Sequence, residues 1–110
     1  MNRDKLYLSH ILDAISKIEI IARQGREKFL TDFTMSDTAI KNFMVIGEAT
    51  KNISNETKIR QPQIPWKKIA GFRDILIHNY FGTDLEEVWR IIQIELPELH
   101  KAINTLLIEQ

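Results

Sequence analysis

The chain has no cysteine, so neither a disulfide framework nor a thiolate metal site can support its fold. That absence is compatible with the cytoplasm, where we expect the protein to reside. No apolar run approaches the ~18 residues of a membrane-spanning helix. Met1-Asn2-Arg3-Asp4 leads directly into a charged amphipathic pattern, so neither a signal peptide nor a membrane association is expected. His-x3-His pairs and clustered carboxylate trios are also missing, and neither a metal centre nor a cofactor is expected. No stretch alternates with the period of a strand over a useful length, nothing repeats, and no segment is of low complexity.

What is present is the composition of a soluble globular protein, with 110 residues of which 44% are hydrophobic and 27% charged. A chain of this length can bury ~65% of its unfolded surface, enough for one core, and residues 1–110 are expected to form a single domain. The formal net charge is zero, but its distribution is uneven. Lys51, Glu56, Lys58, Arg60, Lys67, Lys68 and Arg73 leave the segment 51–73 at +5. Asp84, Glu86, Glu87, Arg90, Glu95, Glu98, Lys101 and Glu109 leave the C-terminal segment at −4. The basic segment suits a phosphate-bearing partner, or else it is a solvated lysine-rich loop.

Apolar periodicity predicts helices throughout. Leu8, Ile11, Leu12, Ile15, Ile18 and Ala22 form one stripe of a first helix over residues 3–24, ended by Gly25. A short turn follows over 26–30, and 31–34 reads as a connection. Ser36 and Asp37 offer N-cap chemistry for a second long helix over 37–54, with Ile40, Phe43, Met44 and Gly47 on one face. A mid-helix glycine costs ~1 kcal/mol against alanine, so Gly47 is expected to allow a close helix crossing or a nearby ligand. Residues 55–63 look irregular, with Pro62 and Pro65 against a continuous helix. Pro65 opens a turn over 66–70, and a further helix runs from Phe72 towards Tyr80, with Gly82 as its terminator. Thr83-Asp84-Leu85-Glu86 matches a capping box for the last helical region. There Leu85, Val88, Trp89 and Ile92 form a stripe, Pro97 kinks or restarts the helix, and Leu99, Ile103, Leu106 and Leu107 continue it. The expected fold is all-α, an up-and-down bundle of about four main helices.

Chemistry is concentrated in Ala70-Gly71-Phe72-Arg73-Asp74-Ile75-Leu76-Ile77-His78-Asn79-Tyr80-Phe81-Gly82. Arg73, His78 and Tyr80 form an Arg-x4-His-x-Tyr pattern. On an ideal helix Arg73 and His78 are ~140° apart, so they share a cleft only if it lies at the helix end. Asp74, four residues before His78, is within reach of the imidazole. Arginine and histidine together suit phosphodiester transesterification, the imidazole accepting a ribose 2′-hydroxyl proton and the guanidinium holding phosphate charge. A second proton donor for the leaving 5′-oxygen is lacking in one chain, and a two-fold dimer with motif helices face to face would supply it. A plainer reading has Arg73 paired to a carboxylate, His78 at a helix end and Tyr80 packed. His10, off the first stripe, is expected to be solvated, and His100 lies in the acidic last helix with no metal-ligand spacing nearby. Trp66 and Trp89 are expected as core or interface anchors.

The Arg-x4-His-x-Tyr pattern resembles the signature of HEPN-domain proteins, and within them the HepT-like RNase toxins. Two more segments carry the likeness: Ile64-Pro65-Trp66-Lys67-Lys68-Ile69-Ala70-Gly71-Phe72-Arg73-Asp74, similar to the lead-in of those proteins, and Ile46-Gly47-Glu48-Ala49 on the preceding helix. The resemblance implies a toxin of a type VII-like toxin–antitoxin pair, a metal-independent endoribonuclease cutting tRNA or mRNA as a homodimer. It implies Arg73 and His78 as catalytic, with Asp74, Asn79 and Glu48 supporting, and Lys67 and Lys68 join them as RNA-binding candidates. It also implies neutralisation by a cognate minimal nucleotidyltransferase antitoxin that transfers AMP to Tyr80. Zero net charge gives less RNA affinity than a dedicated RNA-binding protein would show. The alternative is a non-catalytic nucleotide-binding module of the same family, serving as partner or substrate of a nucleotidyltransferase.

Overall fold

The computed structural model describes residues 2–110, and Met1, the start of the expected leaderless N-terminus, lies outside them. Among the described residues the chain is helical without strands: α1 (Asn2–Ala22), α2 (Arg26–Thr31), α3 (Phe33–Lys51), α4 (Asn55–Ile59), α5 (Trp66–His78), α6 (Leu85–Ile94) and α7 (Leu96–Glu109). α3 lies between α1 and α5, and α1 also packs on α7. No helix is long and apolar enough to cross a membrane.

The α1 stripe behaves as its spacing predicts, with Leu8, Ile11, Ile15 and Ile18 fully buried. Each such side chain contributes about 1.5–3 kcal/mol by leaving water. Opposite them stand Ile40, Phe43 and Ile46 of α3, Leu76 of α5, Val88 and Ile92 of α6, and Leu99, Ile103 and Leu106 of α7, all buried. Gly25 has φ +96°, a conformation that glycine tolerates, and the chain turns there between α1 and α2. Phe29 of α2 is driven into the core against Trp89 of α6, ring centres 5.4 Å apart.

Several boundaries depart from the pattern expected of the sequence, each for a local reason. α3 starts at Phe33, because the Asp32 carboxylate accepts from the Thr34 and Met35 amides at 3.0 and 3.4 Å. Ser36 and Asp37 therefore lie inside the helix rather than at its cap, with the Ser36 hydroxyl donating to the Phe33 carbonyl. The supposedly irregular 55–63 segment contains α4, capped by the Ser54 hydroxyl at the Thr57 amide. Asp4 of α1 fixes that cap from outside: it is buried and accepts from the Ser54 amide (3.0 Å), the Ser54 hydroxyl (2.6 Å) and the Thr57 hydroxyl (2.5 Å). The two helical pieces expected after Pro65 are one continuous α5. Its buried Trp66 donates from the indole to the Lys58 and Gln61 carbonyls, both at 3.1 Å, tying α5 to the preceding loop.

α5 ends at His78, earlier than Gly82, and Tyr80–Gly82 form a 3₁₀ turn. Asp84, not Thr83, caps α6, accepting from the Glu86 and Glu87 amides, while the Thr83 hydroxyl donates to the Tyr80 carbonyl at 2.7 Å. Pro97 restarts the chain in the first turn of α7 after a break at Glu95, where a missing amide hydrogen is harmless.

Candidate active site

Gly47 sets the position of the motif helix. A Cβ there would collide with the Cβ of Arg73 and stand 3.2 Å from the Ile69 carbonyl oxygen, so α3 and α5 approach at a distance only glycine permits. The expected close crossing is thus located at the arginine of the motif. Next to it on α3, Glu48 accepts from Arg73 Nε, with Oε1 at 3.0 Å. Arg73 Nη1 reaches Asp74 Oδ1 at 3.0 Å, and that oxygen also receives Lys51 Nζ at 2.9 Å. Four charges of alternating sign, Glu48, Arg73, Asp74 and Lys51, therefore run across the α3–α5 crossing. The hydrogen bond from Lys51, reinforced by Arg73, holds the Asp74 carboxyl below its ordinary range despite some desolvation.

This corrects one expectation. Asp74 faces Arg73 and Lys51, and no hydrogen bond or ion pair joins it to His78 among the described residues. His78 is the last residue of α5 and is exposed, with neither hydrogen-bond nor ion-pair partner for its side chain among the described residues. Its imidazole stands in the open at the C-terminal end of α5. Asn79 breaks the helix, its amide donating to the Ile75 carbonyl at 3.0 Å, and its side chain folds against Gly82. Tyr80 is half-buried against the core, its ring at 76° to that of the fully exposed Phe81, centres 5.3 Å apart.

Lys67 and Lys68 are exposed but lie in the first turn of α5, about 15 Å of helix rise from His78. The chain does not bring them to the motif. Lys68 instead lines a cavity of about 520 Å³ between α5 and the α6–α7 corner, together with Glu87, Arg90, Glu95 and Glu98. Glu48, by contrast, is brought directly to Arg73.

His10 was not legible as a site residue. It is exposed, as its place off the α1 stripe predicts, yet it lines the same concavity as Arg73 and Glu48 where α1, α3 and α5 meet. The signal was the spacing of Arg3, Tyr7 and His10 along a second face of α1, but only the packing of both α1 and α5 on α3 gives it meaning. His78 does not line this concavity. His100 pairs through Nδ1 with Glu19 Oε2 at 2.8 Å and links α7 to α1. Among the described residues no group of three or more histidines, aspartates or glutamates is placed to hold a metal ion.

Comparison with known proteins agrees with these features. The profile of the HepT-like ribonucleases matches residues 11–106. A protein of Thermococcus cleftensis named a probable ribonuclease HepT is 42% identical, over 93% of this chain and 94% of its own. A candidate RNase of Caldanaerobacter subterraneus subsp. tengcongensis is 37% identical over 97% and 96% respectively. A Methanocaldococcus jannaschii protein, whose name joins a gamma-glutamylcyclotransferase to a candidate RNase, is 39% identical over 99% of this chain, which spans 50% of that relative. No solved structure matches the chain significantly. With nearly the whole helical core inside the matched region, the chain belongs to the HepT-like ribonuclease family.

Proposed function

We propose that the protein is a metal-independent endoribonuclease, the toxin of a type VII-like toxin–antitoxin pair, with tRNA or mRNA as substrate. The observation that carries this reading is the contrast between its two motif side chains. Arg73 is locked over Gly47 between two carboxylates, and His78 is unpartnered at the open end of the same helix. A fixed guanidinium is suited to hold phosphate oxygens as charge develops, and a free imidazole to move a proton.

In the reaction, His78 takes the proton of a ribose 2′-hydroxyl and the 2′-oxygen attacks the adjacent phosphorus. The bond from phosphorus to the 5′-oxygen breaks, and that oxygen must receive a proton. His78 of a second copy supplies it, leaving a 2′,3′-cyclic phosphate and a 5′-hydroxyl. Exposed Ile75 and Phe81 near His78 support a two-fold homodimer, since apolar side chains beside a polar site suit burial by a partner. Asp74 and Glu48 support Arg73, and Asn79 shapes the turn after His78.

Neutralisation follows from the position of Tyr80. A cognate minimal nucleotidyltransferase antitoxin transfers AMP to its hydroxyl, which has no hydrogen-bond partner among the described residues. The added anion, two residues from His78, repels RNA phosphates and fills the cleft. Expression in a cytoplasm containing its RNA tests the reading. Wild type is expected to arrest growth, and His78→Ala to abolish arrest while still binding RNA. Unchanged toxicity of His78→Ala contradicts it.

A further inference from the structure

Beside the catalytic pair, α1 brings a second set of groups to Arg73. Tyr7, His10, Met44, Glu48, Arg73 and Ile77 are among the residues that line an open concavity of about 380 Å³. His10 has no hydrogen-bond or ion-pair partner among the described residues. Its ring stands at 87° to that of Tyr7, centres 5.8 Å apart, and the Arg3 guanidinium lies 5.9 Å from the centre of the Tyr7 ring. One hollow thus offers two aromatic rings, an apolar floor and a guanidinium already held in place by Glu48 and Asp74. A flat heteroaromatic base with a phosphate attached needs that set of features, and single-stranded nucleic acids are bound by such combinations of rings and cations.

We propose that this α1–α3–α5 concavity is a nucleotide subsite of the RNA, with a base against Tyr7 and His10 and its phosphate at Arg73. The proposal rests on the ribonuclease reading and extends it to a residue next to the cleavage point. Glu48 has two roles there. It orients Arg73 through Nε, and as an acceptor it can take a hydrogen bond from a base amine or a ribose hydroxyl. The unpartnered His10 and the half-buried Tyr7 serve binding, whereas His78 serves chemistry at the end of α5.

Fluorescence anisotropy with a labelled, uncleavable 2′-O-methyl single-stranded oligonucleotide tests the subsite on the full chain, alongside turnover of the natural RNA. Each variant is first checked for an unchanged melting temperature, and His10→Ala, at an exposed position, is the second variant should Tyr7→Leu not fold. Tyr7→Leu and His10→Ala are each expected to weaken binding about 10-fold, the size expected for losing one stacked base. KM for cleavage should rise by a similar factor with kcat little changed, while His78→Ala should keep binding and lose turnover. If wild type binds and both α1 variants bind equally well, the subsite is overturned and the ribonuclease reading stands. If His10→Ala lowers kcat at unchanged KM, His10 acts in the chemistry and the subsite is again overturned. Failure of wild type to bind or cut RNA overturns both.

Discussion

Gly47 lies against the Cβ of Arg73 so closely that no other side chain fits between α3 and α5 at that point. One glycine therefore sets the depth at which the motif helix seats, and through it the direction of the arginine. Gly47→Ala should gain ~1 kcal/mol of helix propensity and lose about 2–3 kcal/mol to overpacking. The net destabilisation, about 1–2 kcal/mol, is measurable by urea unfolding. Turnover should fall further than stability alone explains, because Arg73 must move.

Arg73→Lys tests whether the guanidinium fork matters or only its charge. A lysine cannot reach Glu48 and Asp74 in one plane, nor hold two phosphate oxygens. The fold should lose less than about 1 kcal/mol, since these ion pairs are partly exposed. Cleavage should fall about 100-fold or more, read from initial rates at saturating RNA.

Asp4 should couple stability to acid. Its burial opposes ionisation, but the hydrogen bonds from Ser54 and Thr57 together outweigh that and hold its carboxyl below the ordinary 3.8. A carboxyl lowered on folding contributes stability above its unfolded value, and that contribution is lost as pH falls through the folded value. The urea midpoint should therefore drop between about pH 5 and pH 3, and Asp4→Asn should flatten part of that slope. Asp4→Ala should cost about 2–3 kcal/mol at neutral pH, leaving the buried Thr57 hydroxyl and the half-buried Ser54 amide and hydroxyl without this acceptor.

Tyr80→Phe separates modification from cleavage. Phenylalanine keeps the half-buried ring and removes only the hydroxyl. Coexpression with the cognate nucleotidyltransferase should leave this variant unmodified by mass spectrometry and still toxic, whereas wild type is silenced.

The all-α fold was legible because Leu8, Ile11, Ile15 and Ile18, then Val88, Ile92, Leu99, Ile103 and Leu106, keep helical spacing and are buried as that spacing demands. Helix starts were less legible where several cap residues compete: Asp32 against Ser36 and Asp37, and Asp84 against Thr83, were decided by which carboxylate met two free amides. The meaning of Gly47 was visible as a close approach, though not its partner. Spacing along one helix put Asp74 within reach of His78, but it could not show Lys51 across the crossing, which together with Arg73 takes the carboxylate. His10 stayed hidden for the same reason, since nothing local to α1 reveals that α3 packs between it and α5 and brings His10 and Arg73 to one hollow. Lys67 and Lys68 look close to the motif in sequence, but a continuous α5 carries them to its far end.

The most direct test is to incubate the purified protein with total tRNA in EDTA and to resolve fragments and their end groups on a denaturing gel. Wild type should yield fragments ending in 2′,3′-cyclic phosphate and His78→Ala none, which would place the imidazole in a metal-independent transesterification. If His78→Ala cuts as well as wild type, or neither cuts while mass spectrometry shows Tyr80 unmodified, the ribonuclease account is contradicted.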